Sequence, residues 1–153
     1  MKISASIYSS SNKNLEENIR ILDELNIDMI HIDFDDKKSD EETIFSDIKR
    51  IRSLSSIPID LHIISENPSK YFDYISDLKI EFVTFQYETI KEKFSVPSFK
   101  KTLIGIAVVS NTSIDIIEKY KNIIDFILLM TTTPGESGGK FNTKNFKKIR
   151  ECR

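Results

Sequence analysis

A chain whose apolar residues switch repeatedly between a period of two and a period near 3.6 has few folds open to it. This sequence does so along its whole length. Strand patterns fall at Met1–Tyr8, Met29–Phe34, Ile57–Ile64, Glu81–Tyr87, Thr102–Val109 and Ile123–Met130. Helical spacing falls between them: Leu15, Ile19, Leu22 and Leu25; Ile44, Ile48, Ile51 and Leu54; Tyr71, Ile75 and Leu78; Ile114, Ile117 and Tyr120. Glu88–Phe94 reads as a short, weak helix, and Thr143–Arg150 opens a last one. Pro68 suits the first turn of a helix, and Asn111–Ser113 offers N-cap residues. Strict alternation predicts an α/β fold with a parallel sheet and right-handed crossovers. Thr102–Val109 is apolar almost throughout, as expected of a strand covered on both faces.

About six βα units fit either an open doubly wound sheet or a (β/α) barrel. No G-x-G-x-x-G follows the first strand pattern and no G-K-[ST] is present, which weakens the nucleotide-binding options.

Two strand patterns carry the polar chemistry. In Met29–Asp36, His31 and Asp33 stand two apart and share a face. In Ile57–Ile64, Asp60 and His62 do the same. These are the only 2 histidines of the chain. A lone strand histidine is more often packed or hydrogen-bonded than a ligand. Two such pairs on neighbouring strands suit a borderline divalent ion: zinc, iron(II), manganese or cobalt.

Composition narrows the class. The chain has 153 residues, 39% hydrophobic and 30% charged, which describes one soluble globular domain. A formal charge of −2 leaves no footprint for nucleic acid or a membrane surface. No apolar run is long enough to span a bilayer and no signal-peptide pattern opens the chain. One cysteine, Cys152, excludes an internal disulfide and fits a reducing, cytoplasmic location. At the chain end it reads as a bystander.

Four motifs in order then resemble the ribulose-phosphate 3-epimerase family, from Lys2 to Arg150. Lys2-Ile3-Ser4-Ala5-Ser6-Ile7, followed by Asn14-Leu15, is similar to the family's K-I-x-P-S-I and N-L elements. His31-Ile32-Asp33 matches H-x-D. Asp60-Leu61-His62 with Glu66-Asn67-Pro68 resembles D-x-H-L-M and E-N-P. Leu128-Leu129-Met130-Thr131 with Pro134, Gly135 and Gly138 resembles L-L-M-T-x-x-P-G-F-G-G-Q.

The resemblance implies a (β/α)8 barrel and an isomerase of pentose phosphate metabolism. That activity interconverts ribulose 5-phosphate and xylulose 5-phosphate by removing and returning the proton at C3. It implies His31, Asp33 and His62 as ligands of a divalent metal that stabilises the enediolate oxygens, with Asp33 also an acid/base carboxylate. Ser6 and His62 would contact the phosphosugar, and backbone N–H groups of Gly135–Gly139, Gly138 among them, its phosphate. On its own, that segment is an ordinary glycine turn.

The resemblance also sets departures. The family's second acid/base aspartate, its fourth metal ligand, lies on a seventh strand. The chain is therefore expected to form one incomplete barrel domain over residues 1–153, lacking the last two βα units. Strands one and six would then be open edges through which two copies pair. Asp35-Asp36-Lys37-Lys38-Ser39 replaces a longer family segment, and Asp35 or Asp36 is a candidate for a metal or proton role. Gln86 stands where the family has a strand-four histidine, and Glu136 and Ser137 where its phosphate loop has Phe and Gly. Three readings stay open: the pentulose phosphate epimerase, an epimerase of a related ketose phosphate, and a non-catalytic module that binds metal or phosphosugar.

Overall fold

The computed structural model describes residues 1–9, 14–91, 95–97, 99–135, 140–143 and 145–152. Six parallel strands form one curled sheet: β1 (Ser4–Ser6), β2 (Met29–Asp35), β3 (Ile59–Ile64), β4 (Phe82–Gln86), β5 (Leu103–Val108) and β6 (Phe126–Leu129). The spatial order is the chain order, β1-β2-β3-β4-β5-β6. Every strand is parallel to its neighbours. This is the half-barrel of an incomplete (β/α)8 fold. Among the described residues β1 and β6 each have one strand neighbour.

The pleat sorts the side chains. On β2, Ile30, Ile32 and Phe34 are fully buried on the convex face, while His31, Asp33 and Asp35 alternate with them on the concave face. On β3, Ile59, Leu61 and Ile63 point out to the helices and Asp60, His62 and Ile64 point in. The helices are α1 (Leu15–Glu24), α2 (Glu41–Leu54), α3 (Phe72–Asp77) and α4 (Asn145–Glu151). Ile19 of α1, Ile44, Phe45, Ile48 and Ile51 of α2 and Ile75 of α3 join the convex strand residues in one core. Most of the buried apolar side chains therefore lie between the sheet and the helices, which leaves the β2–β3 part of the concave face to polar groups.

Helix starts follow local chemistry. The Asn14 side chain accepts from the Glu17 N–H at 3.3 Å, and Asp40 accepts from the Thr43 N–H at 2.8 Å. Asn26 and Lys79 take left-handed backbones, both at φ 51°, just past α1 and α3. No described helix is long and apolar enough to cross a membrane.

Several expected elements change shape. Met1–Tyr8 reduces to three strand residues, because Ile7 turns into the core within a 3-10 turn at Ile7–Ser9. The weak helix at Glu88–Phe94 is a 3-10 turn at Tyr87–Thr89, and positions 92–94 lie outside the described residues. Ile114–Lys119 is a 3-10 rather than an α-helix. Its three isoleucines among six residues lower helix propensity, and Ser113 caps it by accepting from the Asp115 N–H at 3.2 Å. β6 starts at Phe126, not Ile123, because the Ile123 and Ile124 N–H groups close that turn onto the Tyr120 carbonyl at 2.8 and 3.0 Å.

Candidate functional site

Parallel pairing in register places Asp33 beside His62 and His31 beside Asp60. An H-x-D strand next to a D-x-H strand thus gives each histidine a carboxylate across the sheet. The closest contacts run between strands rather than along them. His31 Nδ1 lies 2.9 Å from Asp60 Oδ2, and His62 Nδ1 lies 2.9 Å from Asp33 Oδ1. Within β2, His31 Nε2 is 3.3 Å from the same Asp33 oxygen. Asp60 Oδ2 also accepts from the Ser4 hydroxyl at 2.7 Å.

The cluster sits at the boundary between core and solvent. The His62 side chain is fully buried, whereas those of His31 and Asp33 keep 17% and 24% of their exposure. Both contacts of Asp33 fall on Oδ1, which leaves Oδ2 without a partner among the described residues. Burial alone would lower the His31 pKa. Hydrogen bonds to Asp33 and Asp60 outweigh it and raise the value to about 9. Burial alone would raise the Asp33 pKa, but hydrogen bonds from the two imidazoles hold it well below the usual carboxylate range.

One ligand atom each from His31, Asp33 and His62 falls within 4.8 Å of the others. Two imidazole nitrogens around one carboxylate oxygen form a donor set that fits zinc, iron(II), manganese or cobalt. Without an ion, the Asp33 and Asp60 carboxylates favour the protonated form of His31.

The other expected site residues fall as follows. Ser6 stands beside His31 in register, on the concave face. Gly135 takes a left-handed φ of 73°, and a Cβ there would meet Ile64 Cδ1 at 3.5 Å. The segment after β6 therefore folds back over the end of β3, two residues from His62. Gly138, with Glu136 and Ser137, lies outside the described residues.

Asp35 and Asp36 do not join the cluster. Asp35 Oδ1 accepts from the Lys37 N–H at 3.1 Å, and its Oδ2 pairs with the Lys38 ammonium at 3.2 Å. Asp36 Oδ2 accepts from the Ser65 hydroxyl and, at 3.2 Å, from the Tyr71 hydroxyl. Both carboxylates shape the β2 connection instead.

A residue that the motifs left without a role, Gln86, sits against His62, and Glu88 sits behind it. Gln86 Oε1 lies 2.9 Å from His62 Nε2, and the Gln86 amide nitrogen donates to Glu88. The only sequence signal for this is spacing: Gln86 ends β4, and Glu88 follows two residues later in the turn.

A half-barrel whose concave face carries a His-Asp-His cluster defines an α/β protein of the (β/α)-barrel class with a candidate metal centre. The chain belongs to the ribulose-phosphate 3-epimerase family: the model of the Ribulose-phosphate 3 epimerase family matches residues 2–153. It is 28% identical over 158 residues to a ribulose-phosphate 3-epimerase of Methanocaldococcus jannaschii, covering all of this chain and 67% of that protein. It is 30% identical over 106 residues to that of Aquifex aeolicus, covering 67% of this chain and 48% of the relative. It is 25% identical over 158 residues to that of Bacillus subtilis, covering all of this chain and 73% of the relative.

Proposed function

We propose that the chain carries the metal-binding half of a pentulose phosphate epimerase acting at C3 of ribulose 5-phosphate and xylulose 5-phosphate. The carrying observation is Asp33 Oδ1 set between His31 Nε2 and His62 Nδ1 on the concave face of the sheet. His31, Asp33 and His62 would hold the divalent ion. When bound, that ion supplies a positive charge beside the substrate oxygens, which lowers the cost of the negative charge that develops after proton loss.

Asp33 Oδ2 takes the C3 proton from one face of the carbon and can return it there. Ser6 adjoins this face through its register with His31 and would meet a substrate hydroxyl. Gly135, close to Ile64, brings its backbone towards the same mouth, where it would receive the phosphate; the resemblance assigns the same role to Gly138, which lies outside the described residues. Barrels of this class place their chemistry at this C-terminal end of the strands.

A second reading, a module that binds metal and phosphosugar without turnover, rests on the commitment of Asp35 and Asp36 to the β2 connection. Those two carboxylates are not available to serve the opposite face of the carbon.

The test is incubation with ribulose 5-phosphate in deuterium oxide with zinc, iron(II), manganese or cobalt, following the C3 proton by NMR. Exchange with xylulose 5-phosphate formation supports the epimerase. Exchange without epimerisation means that Asp33 works on one face alone. Absence of exchange with every metal, on protein shown to be folded, rejects turnover and leaves the binding module. A panel of six-carbon ketose phosphates in the same assay tests the related substrates.

A further inference from the structure

The helices at the two ends of the sheet both expose apolar residues. α4 turns its polar residues inward and its apolar ones outward. Asn145 and Lys148 are buried, while Phe146 keeps 55% of its exposure and Ile149 36%. The Lys148 ammonium donates to the Val109 carbonyl at 2.7 Å and to the Thr112 carbonyl. Asn145 Nδ2 donates to the Met130 carbonyl at 3.1 Å. Lys147 and Glu151 line a groove with Thr112 and Asp115, so that flank of the helix faces the β5 connection. Phe146, Ile149 and Arg150 take the other flank, with the Phe141 ring 5.0 Å from that of Phe146.

α1 shows the same arrangement at the opposite end. Glu16 pairs with Arg50 at 2.6 Å, and Asp23 accepts from the Ser55 hydroxyl at 2.8 Å. That flank therefore faces α2. Glu17, Ile21 and Leu25, spaced by four, line the flank turned away from α2. Ile21 is exposed, and Leu25 keeps 65% of its exposure.

The two ends differ in charge. Between residues 14 and 28, Glu16, Glu17, Asp23, Glu24 and Asp28 stand against Arg20 alone. Between residues 145 and 152, Lys147, Lys148 and Arg150 stand against Glu151 alone. Packing α4 on α4, or α1 on α1, would set like charges together. Packing α4 on α1 sets unlike charges around two apolar stripes. The adjoining strands fit the same contact. β6 is apolar at all four positions and only half-buried, and among the described residues β1 and β6 each have one strand neighbour.

We propose that a second copy of this chain docks head to tail. The Phe146–Ile149 flank of α4 packs on the Ile21–Leu25 flank of α1 of the next copy, with β6 running parallel beside that copy's β1. The contact repeats the way β1 and α1 lie beside β2 and α2 within the chain. A head-to-tail contact closes into a ring or grows into a longer chain. It uses no residue of the His31, Asp33 and His62 cluster, so it stands apart from the divalent-ion reading.

Sedimentation of the full chain over a wide range of concentrations reads the association. A mass above that of the monomer, rising with concentration, is expected. Phe146→Ala and Leu25→Ala change opposite sides of the contact, and each should weaken association by about tenfold or more. Arg150→Glu and Glu17→Lys should each weaken it by about fivefold. An equal mixture of those two should associate more tightly than either alone, because every contact again joins opposite charges. All four side chains are exposed, and circular dichroism checks that each variant is folded.

A monomer at every concentration overturns the proposal. So does association that responds to changes in only one of the two helices, which would mean like faces in contact. A mixture as weak as its components overturns it as well. A chain that stays monomeric yet sediments with phosphatidylserine vesicles would assign the α4 flank to a membrane surface instead.

Discussion

Phe126 lays its ring over Gly105 across the β5–β6 pair: a Cβ at position 105 would lie 2.5 Å from Phe126 Cε2. The same ring meets Phe82 edge-on at 6.1 Å. Aromatic bulk thus fills the concave face beyond the polar cluster, and the missing side chain at Gly105 makes the room. Gly105→Ala should displace the ring and cost about 1–3 kcal/mol in urea denaturation. Adding Phe126→Leu should recover part of that loss. An unchanged midpoint for Gly105→Ala would show that the ring swings aside freely.

Stability of the metal-free protein should depend on pH through His31 and Asp33. The folded state holds the His31 proton more tightly than the unfolded chain does, with a pKa of about 9 against an ordinary 6.5. That contribution is complete below about pH 6.5 and is lost as pH rises through about 9. Asp33 acts in the opposite sense: its depressed pKa contributes above an ordinary 3.8 and the contribution is lost as the solution is acidified. Metal-free protein should be most stable between these limits and lose on the order of 3 kcal/mol on the alkaline side. Saturating zinc should flatten the alkaline fall, because an ion takes the place of the protons. Urea midpoints across pH, with and without zinc, decide this. A flat metal-free profile would sink it.

Asp60 should tune His31 from outside the ligand set. Asp60→Asn keeps the shape and removes the charge that faces His31 Nδ1 at 2.9 Å. The His31 pKa should then fall from about 9 towards its ordinary 6.5, read by NMR titration of the ring. Ser4→Ala removes only the hydroxyl that donates to Asp60 and should have a smaller effect in the same assay. An unmoved His31 titration in Asp60→Asn would assign the whole shift to Asp33.

The alternation of strands and helices was readable from the apolar period, and the core followed from it; the sequential order of the strands was implied only by the family resemblance. Ile30, Ile32 and Phe34 declare a convex face by their spacing alone. The pairing of His31 with Asp60, and of Asp33 with His62, was not readable. It depends on register, which a single strand does not encode. Asp35 and Asp36 remained candidates for the same reason, since only the fold shows their oxygens turned to Lys37, Ser65 and Tyr71. Gln86 and Glu88 escaped because the partners of Glu88 come from the far end of β5. The 3-10 form of Ile114–Lys119 escaped because its apolar spacing fits an α-helix as well.

The convex core predicts an ordinary packing penalty where its rings meet. Phe34 contacts Tyr71 edge-on at 4.8 Å and Phe45 at 5.3 Å. Phe34→Ala should cost about 3–5 kcal/mol. Tyr71→Phe keeps the ring and removes the hydroxyl bond to Asp36, so it should cost only about 1 kcal/mol. Thermal unfolding of both variants checks the pair. Equal losses would mean that the Asp36 bond, rather than the ring cluster, holds the β2 connection.

The strictly sequential strand order bears on how the chain is made. Ser4 finds its partner at Met29, and Ile30 finds its own at Ile59. Each strand needs only the one synthesised just before it, so loop closure never spans more than one crossover. Such a sheet can grow in the direction of translation, each βα unit docking as it leaves the ribosome. On that route the edge of β3 comes to lie beside β2 before β4 exists. His62 therefore meets Asp33 during synthesis ahead of Gln86.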